Sequence, residues 1–309
     1  MPGIIVFSED GALAQQLLTP ALELKKTSGQ PVTALTADET TAKTLATLGA
    51  DLVVLLKAAQ ATPEALAPEI AAFCAREQAS VVLVGGTLRG KHIAAQIAAR
   101  LEAGMTTDAK AVKIVDGKLQ TSRILYAGLA VSEEELSLPA VATIPPRTFL
   151  PPTANGTPAK VESLEVKPDT RITVTGTTSI GTEGVDITAA HKLVSVGRGF
   201  RAKDDLKLAE ELVAALKDAE LACTRGIAED EHWLPLERYI GISGQTVKPE
   251  LYLAVGLSGQ VQHMVGCRES KVIVAINNDE RAPIFEAADY GIVGDLYQVL
   301  PLLTAALKN

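Results

Sequence analysis

Short runs of apolar residues alternate along the chain with alanine-rich segments whose apolar residues recur at helical spacing. In the first half, this pattern predicts strands at 4–7, 31–35, 52–55 and 81–84 and helices at about 11–26, 37–48, 63–77 and 93–101. Strands that alternate with helices are typical of β-α-β units with parallel strands. The first half is therefore predicted to be an α/β domain with a mostly parallel sheet.

The same alternation resumes in the second half, with strands predicted at 193–196, 251–255 and 272–276 and helices at 204–216 and about 295–307. Residues 139–168 hold seven of the 16 prolines, so edge strands and connectors are expected there rather than helices. Strands are predicted at 161–166 and 172–175, followed by a glycine-punctuated linker at 176–184. We place the boundary near Thr188, between an N-terminal α/β domain (1–188) and a doubly wound C-terminal domain (189–309).

The composition narrows the class of protein. With 47% hydrophobic and 21% charged residues, the chain can bury a substantial core. A net charge of −8, with one tryptophan, five tyrosines and five phenylalanines, argues against a nucleic-acid partner, which requires a basic face and stacking platforms. No apolar run approaches a membrane span, and the N-terminus lacks the basic segment of a signal peptide. The sequence thus predicts a cytoplasmic protein without a membrane span.

Residues that often carry metal or nucleophilic chemistry are scattered along the chain. Cys74, Cys223 and Cys267 form no CxxC pair and are expected to be small buried hydrophobes. The four histidines have no i,i+4 partner, and the sequence assembles no Ser-His-Asp arrangement. The acidic run at 229–231 is expected to be a solvated face. Neither a metal site nor a set of catalytic residues is predicted.

Glycine-rich turns follow several predicted strands, which is where open parallel sheets bind ligands. The turn at 85–91 has the glycine spacing of a phosphate-binding loop, but His92 stands where a hydroxyl would hold magnesium. A structural turn is the preferred interpretation there. The turn at 197–202 reads Gly-Arg-Gly-Phe-Arg-Ala between a strand and a helix, and it fits either a dinucleotide contact or an ordinary tight turn.

A second turn, at 256–263, places Ser258 and Gly259 at a predicted helix start with His263 one turn further on. Such a segment suits a phosphate, and His263 could offer an N–H or a positive charge to an oxygen, or be a structurally bonded histidine. Further turns lie at 240–245, 277–279 and 289–295. Five turns from separate strands at one sheet edge indicate a long, dinucleotide-type ligand.

Residues 197–307 resemble the alpha subunit of electron transfer flavoproteins, including the bacterial FixB type. The resemblance rests on GRGF, CTR, LYLAVGLSGQVQHMVG, KVIVAINNDERAPIFEAADYGIVGDL and LPLLTAAL, and more loosely on LVGGTLRGKHIAAQIAARL and SRILYAG in the first half. It implies a C-terminal FAD-binding domain of the deoxyhypusine-synthase-like kind and an N-terminal domain that contacts a beta subunit in a heterodimer. The chain would then be an electron carrier rather than an enzyme with its own organic substrate.

The resemblance also implies roles for single residues. Arg198 would lie by the flavin, and Arg225 would lie over its ring, where positive charge favours the reduced, anionic forms. Ser243 would bond the flavin N5 through its hydroxyl, and His263 would stabilise charge near N1 and the C2 carbonyl. Asn277, Asp295 and Leu296 match positions that contact the ribityl and adenosine portions. The full set implied for FAD binding is Arg198, Thr224, Arg225, Ile240, Gly241, Ile242, Ser243, Ser258, Gly259, Gln260, Val261, Gln262, His263, Asn277, Asp295 and Leu296.

The sequence departs from the family pattern near the flavin ring. Ile242 replaces a glutamine, Gln245 stands where a lysine is common, and Gln260 replaces an alanine. Losing a lysine and an amide would lower the flavin potential. The FixB-type subgroup shows similar changes, and its members serve acyl-CoA or crotonobetainyl-CoA metabolism or supply low-potential electrons. Among these roles, the resemblance leads us to expect a flavin dehydrogenase of the acyl-CoA dehydrogenase type as donor, as in fatty acid β-oxidation, and a downstream redox acceptor.

Two other classes remain open at this point. An NAD-dependent enzyme could use the same phosphate-binding turns, and it would be colourless. A subunit that keeps the fold for assembly and binds no cofactor would show no spectral change when Arg225 or Ser243 is replaced.

Overall fold

The chain divides into two compact units, Met1–Thr178 and Ser179–Asn309. The computed structural model describes residues 3–58, 61–126, 129–154, 158–169, 171, 174–176, 178 and 186–308. The division falls before the predicted boundary at Thr188, which stays a prediction. Most of the predicted linker, including Gly181 and Gly184, lies outside the described residues. So do the first two residues of the predicted strand at 172–175, and its last two are not in a strand.

The first unit is built on a parallel sheet with helices on both faces. Its strands are β1 (Ile4–Phe7), β2 (Val32–Thr36), β3 (Leu52–Lys57), β4 (Val81–Gly85), β5 (Gly104–Thr106), β6 (Ala109–Val115), β7 (Lys118–Leu125), β8 (Ala130–Ser137), β9 (Ala140–Ile144) and β10 (Lys160–Glu165). Its helices are α1 (Gly11–Ser28), α2 (Glu39–Thr47), α3 (Ala67–Arg76) and α4 (Leu88–Leu101), with a 3-10 turn at Pro63–Leu66. Seven strands form the sheet in the order β10-β3-β2-β1-β4-β9-β5, all parallel.

Burial on both faces explains the continuous apolar strands of this sheet. In β1, Ile4 and Val6 pack into one cluster with α1 and α2, while Ile5 and Phe7 pack into another with α3 and α4. The parallel α/β fold that the alternating pattern predicts is therefore confirmed.

The turn at 85–91 caps α4, as expected for a structural turn, but α4 begins earlier than predicted. Thr87 is the N-cap residue, and its hydroxyl accepts a hydrogen bond from the Gly90 N–H at 2.8 Å. The helix therefore begins at Leu88 rather than near Ile93. In the sequence, the glycines at 86 and 90 made the first turn of this helix look like part of the loop.

The stretch after α4 differs most from the prediction. Strands β6, β7 and β8 form an antiparallel sheet that was not predicted. Their side chains alternate between a half-buried and an exposed face, so they lack the uninterrupted apolar runs from which the other strands were predicted. The proline-rich stretch was predicted to hold edge strands, and this is wrong for β9, which lies between β4 and β5 with all five residues buried. Pro139 and Pro145 flank β9 without entering it, so no ladder N–H is lost.

The second unit is a smaller doubly wound sheet. Its elements are β11 (Lys192–Val196), α5 (Lys207–Leu216), β12 (Ala219–Cys223), β13 (Leu251–Val255), α6 (Val261–Met264), β14 (Ile273–Asn277), α7 (Ile284–Ala287), β15 (Tyr290–Val293) and α8 (Leu296–Lys308). The strand order is β12-β11-β13-β14-β15, and every pair is parallel. The carboxyl ends of the five strands therefore share one edge, as predicted.

Each of the three cysteines is free and buried. Burial raises the pKa of the Cys74, Cys223 and Cys267 thiols to about 12. Because the thiolate is the reactive form, we expect no thiol of the native chain to react with Ellman's reagent within minutes at pH 8, and all three to react in guanidinium chloride. A reactive thiol under native conditions would contradict this burial.

In the part of the chain that the structure describes, no helix is long and apolar enough to cross a membrane.

Candidate functional site

A cavity of about 620 Å³ opens at the carboxyl edge of the second sheet. This volume lies in the range of pockets that hold cofactor-sized ligands. Its walls come from the segments that follow β11, β12, β13 and β14, so parts of the chain that are far apart in sequence meet there. The lining residues are Arg198, Gly199, Thr224, Arg225, Gly226, Asp230, Tyr239, Ile240, Ile242, Ser243, Gly256, Leu257, Ser258, Gly259, Gln260, Gln262, His263, Asn277 and Asn278.

The cavity lies at the point where the strand order reverses. After β11 the chain adds β12 on one side and then β13 on the other, which leaves a crevice between the turns that follow β11 and β13. Glycines let these two turns approach closely, because a Cβ on Gly199 would lie 2.7 Å from the Cα of Gly256. The crevice therefore exists because both turns lack side chains at their closest approach.

The turn after β13 offers free hydrogen-bond donors to this crevice. Among the described residues, no partner exists for the backbone N–H groups of Ser258, Gly259 and Gln260. Gly259 adopts a left-handed φ of +74°, and Asn277 donates to the Leu257 carbonyl at 2.9 Å, which holds the turn in place. A loop with several unpaired N–H groups is suited to phosphate or hydroxyl oxygens.

Two guanidinium groups bring positive charge to the lining. Arg225 is 64% exposed, and its Nε lies 3.5 Å from a carboxylate oxygen of Glu229 one helical turn on. The aliphatic stem of Arg198 lies against Gly226. Asp230 also lines the cavity, so part of the acidic run at 229–231 faces this site instead of forming only a solvated face.

Ser243 is held by a residue that the sequence did not single out. The Tyr239 hydroxyl lies 2.7 Å from Ser243 Oγ, and either group can be the donor. Because a serine hydroxyl can donate and accept at the same time, this contact still leaves it able to bond a ligand.

His263 lines the cavity but is mostly buried. It is 8% exposed, its Nδ1 lies 3.0 Å from the Ile240 carbonyl oxygen, and its Nε2 lies 2.7 Å from the Tyr252 hydroxyl. Burial lowers the pKa of His263 to about 4. The ring is therefore neutral at pH 7 with both nitrogens engaged, so the positive charge considered from sequence is absent in this state.

This buried histidine makes stability depend on pH. The pKa of His263 rises from about 4 in the folded chain towards its ordinary 6.5 on unfolding, so the unfolded chain binds the extra proton between these values. The stability of the second unit should fall by up to about 3 kcal/mol as the pH drops from 6.5 to 4. We expect His263→Gln to remove this part of the pH dependence in urea unfolding at pH 7 and 4.5.

His191→Gln is the matched control, because His191 is exposed. If His191→Gln reduced the pH dependence of the unfolding free energy as much as His263→Gln does, the effect would come from the loss of any histidine and not from the burial of His263.

Twelve of the sixteen residues expected at the cofactor line the cavity. Gly241 and Val261 lie between lining residues along the chain. Asp295 accepts from the Tyr297 N–H at the start of α8, and Leu296 packs in the core beside α5. Asp295 and Leu296, with the rest of the turn at 289–295, lie outside the cavity lining. Their contact with a cofactor stays a prediction.

Within the described ranges of the chain, no group of three or more histidine, cysteine, aspartate or glutamate side chains is placed to hold a metal ion.

Two sequence models of known families match the chain. The first is described as the electron transfer flavoprotein domain and matches residues 5–169, and the second, the electron transfer flavoprotein FAD-binding domain, matches residues 186–268. The two matches fall in the first and second units respectively.

Curated relatives agree with these matches. Protein FixB of Escherichia coli O17:K52:H18 (strain UMN026 / ExPEC) is 49% identical over 233 residues, which is 74% of each chain. Protein FixB of strain O127:H6 (E2348/69 / EPEC) is 48% identical over the same length and shares. An alignment with a solved structure from Mycobacterium smegmatis covers 97% of this chain and 59% of that chain at 14% identity. Its TM-score is 0.24, which is too low to compare the two folds. The resemblance found in the sequence is thus confirmed, and the chain belongs to the electron transfer flavoprotein family as an alpha subunit of the FixB type.

Proposed function

We propose that the cavity of the second unit binds FAD, and that the chain carries electrons from a flavin dehydrogenase to a downstream acceptor as one half of a heterodimer with a beta subunit. The observation that carries this proposal is the crevice at the strand reversal, where unpaired backbone N–H groups and two guanidiniums line one cavity. The matched FAD-binding domain supports the same cofactor.

The residues of the cavity fit a flavin dinucleotide. The N–H groups of Ser258, Gly259 and Gln260 would donate hydrogen bonds to its phosphate or hydroxyl oxygens, because these oxygens are good acceptors. Arg198 and Arg225 would balance negative charge. When bound, FAD supplies the redox chemistry.

The side chains around the flavin would set its potential and its position. Positive charge from Arg225 makes the addition of an electron more favourable. The Ser243 hydroxyl, held by Tyr239, would donate to a ring nitrogen or accept from it as that nitrogen changes its protonation. Ile242 is 62% exposed and would cover part of the ring with an apolar surface where the usual glutamine is missing.

We further propose that the electron donor is a dehydrogenase of the acyl-CoA dehydrogenase type and that the complex works in the cytoplasm. FixB-type relatives at 49% identity support the choice of subgroup. Three free, buried cysteines fit a reducing compartment.

The experiment is to co-express the chain with the beta-subunit gene of its source and to extract and quantify the nucleotides that purify with the complex. We expect one equivalent of FAD in the cavity, which a variant with Ser258→Trp should lose while the complex still assembles. NAD in place of FAD would favour an enzyme on the same turns, and a complex without any dinucleotide that fails to bind added FAD would favour an assembly subunit.

A further inference from the structure

Behind the cavity, a fully buried tyrosine meets the histidine of the lining. Tyr252 lies in β13 with no exposed surface, and its hydroxyl is 2.7 Å from Nε2 of His263. On the other side of the ring, Nδ1 is 3.0 Å from the Ile240 carbonyl oxygen. The function proposed above does not use Tyr252.

These two contacts determine where the proton of the ring lies. A carbonyl oxygen can only accept, so Nδ1 must carry the proton and donate it to Ile240. Nε2 is then the acceptor, and the Tyr252 hydroxyl is its donor. In this state His263 has no N–H left for a ligand.

A third group completes the arrangement. Ser195 of β11 is buried, its Oγ lies beside the Tyr252 hydroxyl without reaching hydrogen-bond geometry, and no hydrogen-bond partner for it exists among the described residues. A buried hydroxyl without a partner costs stability in the state that leaves it unpaired, so a state that pairs it is favoured by that amount. A rotated Tyr252 hydroxyl would find its acceptor in Ser195.

The groups that surround the ring favour its neutral form. On the side away from the cavity, Tyr252 contacts Nε2 of the ring, and Cys267 and Cys223 lie near Tyr252. Burial raises the pKa of all three side chains, so they stay uncharged at pH 7. The cavity side carries two positive groups, Arg198 and Arg225, and one negative group, Asp230. Added negative charge in the cavity is what would change this balance.

We propose that Tyr252 is a positioning residue that holds His263 as the neutral Nδ1–H tautomer, and that the ring takes up one proton from the buffered bulk solvent, on Nε2, when the cavity gains negative charge. The Tyr252 hydroxyl then turns, accepts from Nε2–H and donates to Ser195. Electron uptake is thereby coupled to proton uptake at His263. This second step rests on the proposed function, because the electron and its negative charge come from the dehydrogenase through FAD.

The test is NMR of the full chain in its complex, with ¹⁵N-labelled histidine and His263→Gln to assign the signals. In the oxidised protein we expect the Nδ1–H tautomer and a neutral ring at pH 7. In Tyr252→Phe the tautomer preference should be lost and the proton affinity of His263 should rise about tenfold, because the donor to Nε2 is gone. Tyr290→Phe, which removes an exposed hydroxyl in the same unit, should change neither.

A reduced sample tests the second step. We expect His263 to be protonated at pH 7 after reduction, and Ser195→Ala to lower its proton affinity in the reduced protein more than in the oxidised one. An Nε2–H tautomer in the oxidised wild type, or an unchanged ring in Tyr252→Phe, would overturn the positioning role. A ring that stays neutral after the flavin is reduced would overturn the coupling. A complex that holds no flavin would refute the proposed function, while the tautomer would still be read in the same sample.

Discussion

Gly259→Ala should remove FAD binding and destabilise the second unit by about 3 kcal/mol. Gly259 has a φ of +74°, where an alanine costs about 1–2 kcal/mol. A Cβ there would also lie 2.5 Å from the Cα of Ile284, and backbone cannot move aside without strain that costs a similar amount. The turn that offers the unpaired N–H groups would therefore shift. Flavin content and urea unfolding followed by far-UV circular dichroism measure the two effects.

Gly29→Ala is the matched control, because Gly29 has nearly the same φ of +70° but nothing within 4 Å of an added Cβ. It should cost only about 1 kcal/mol and leave the flavin content unchanged. If Gly259→Ala keeps a full complement of FAD, the turn after β13 is not part of the cofactor site.

Arg225→Ala should lower the one-electron potential of the flavin by about 60 mV or more, which corresponds to about 1.4 kcal/mol. A unit charge 4 Å away at an effective dielectric constant of 20 is worth about 4 kcal/mol, and the exposure of Arg225 reduces this value. Spectroscopic titration against dyes of known potential measures the change. Arg225→Lys should restore part of the loss, since it keeps the charge without the planar guanidinium.

Arg201→Ala is the control for a general loss of positive charge. Arg201 is exposed, packs over the Tyr297 ring and does not line the cavity. An equal fall in potential in both variants would mean that overall charge, and not the position of Arg225, sets the potential.

The sequence predicted the parallel strands better than the rest of the fold. Strands such as Leu251–Val255 are buried on both faces, so their uninterrupted apolar runs are visible without any tertiary information. The antiparallel strands around Lys118–Leu125 carry polar residues on one face, and the sequence pattern alone did not separate them from loop. The position of Ala140–Ile144 inside the sheet depends on long-range pairing, which its flanking prolines conceal.

For the site, the sequence located the turns but not the contacts between side chains. Strand ends at one edge of a parallel sheet must lie together, so most of the lining followed from topology. The partners of His263 and Ser243 did not, because Tyr252 reads as one apolar strand residue among five and Tyr239 precedes a turn. The charge of His263 depends on this burial, and no local pattern reports it.

The most direct measurement of the central claim is the visible absorption spectrum of the purified heterodimer during stepwise anaerobic reduction with dithionite. We predict flavin bands that bleach in two one-electron steps, with one FAD per complex and with the change lost in Gly259→Ala. A colourless complex that takes up no added FAD would contradict the account.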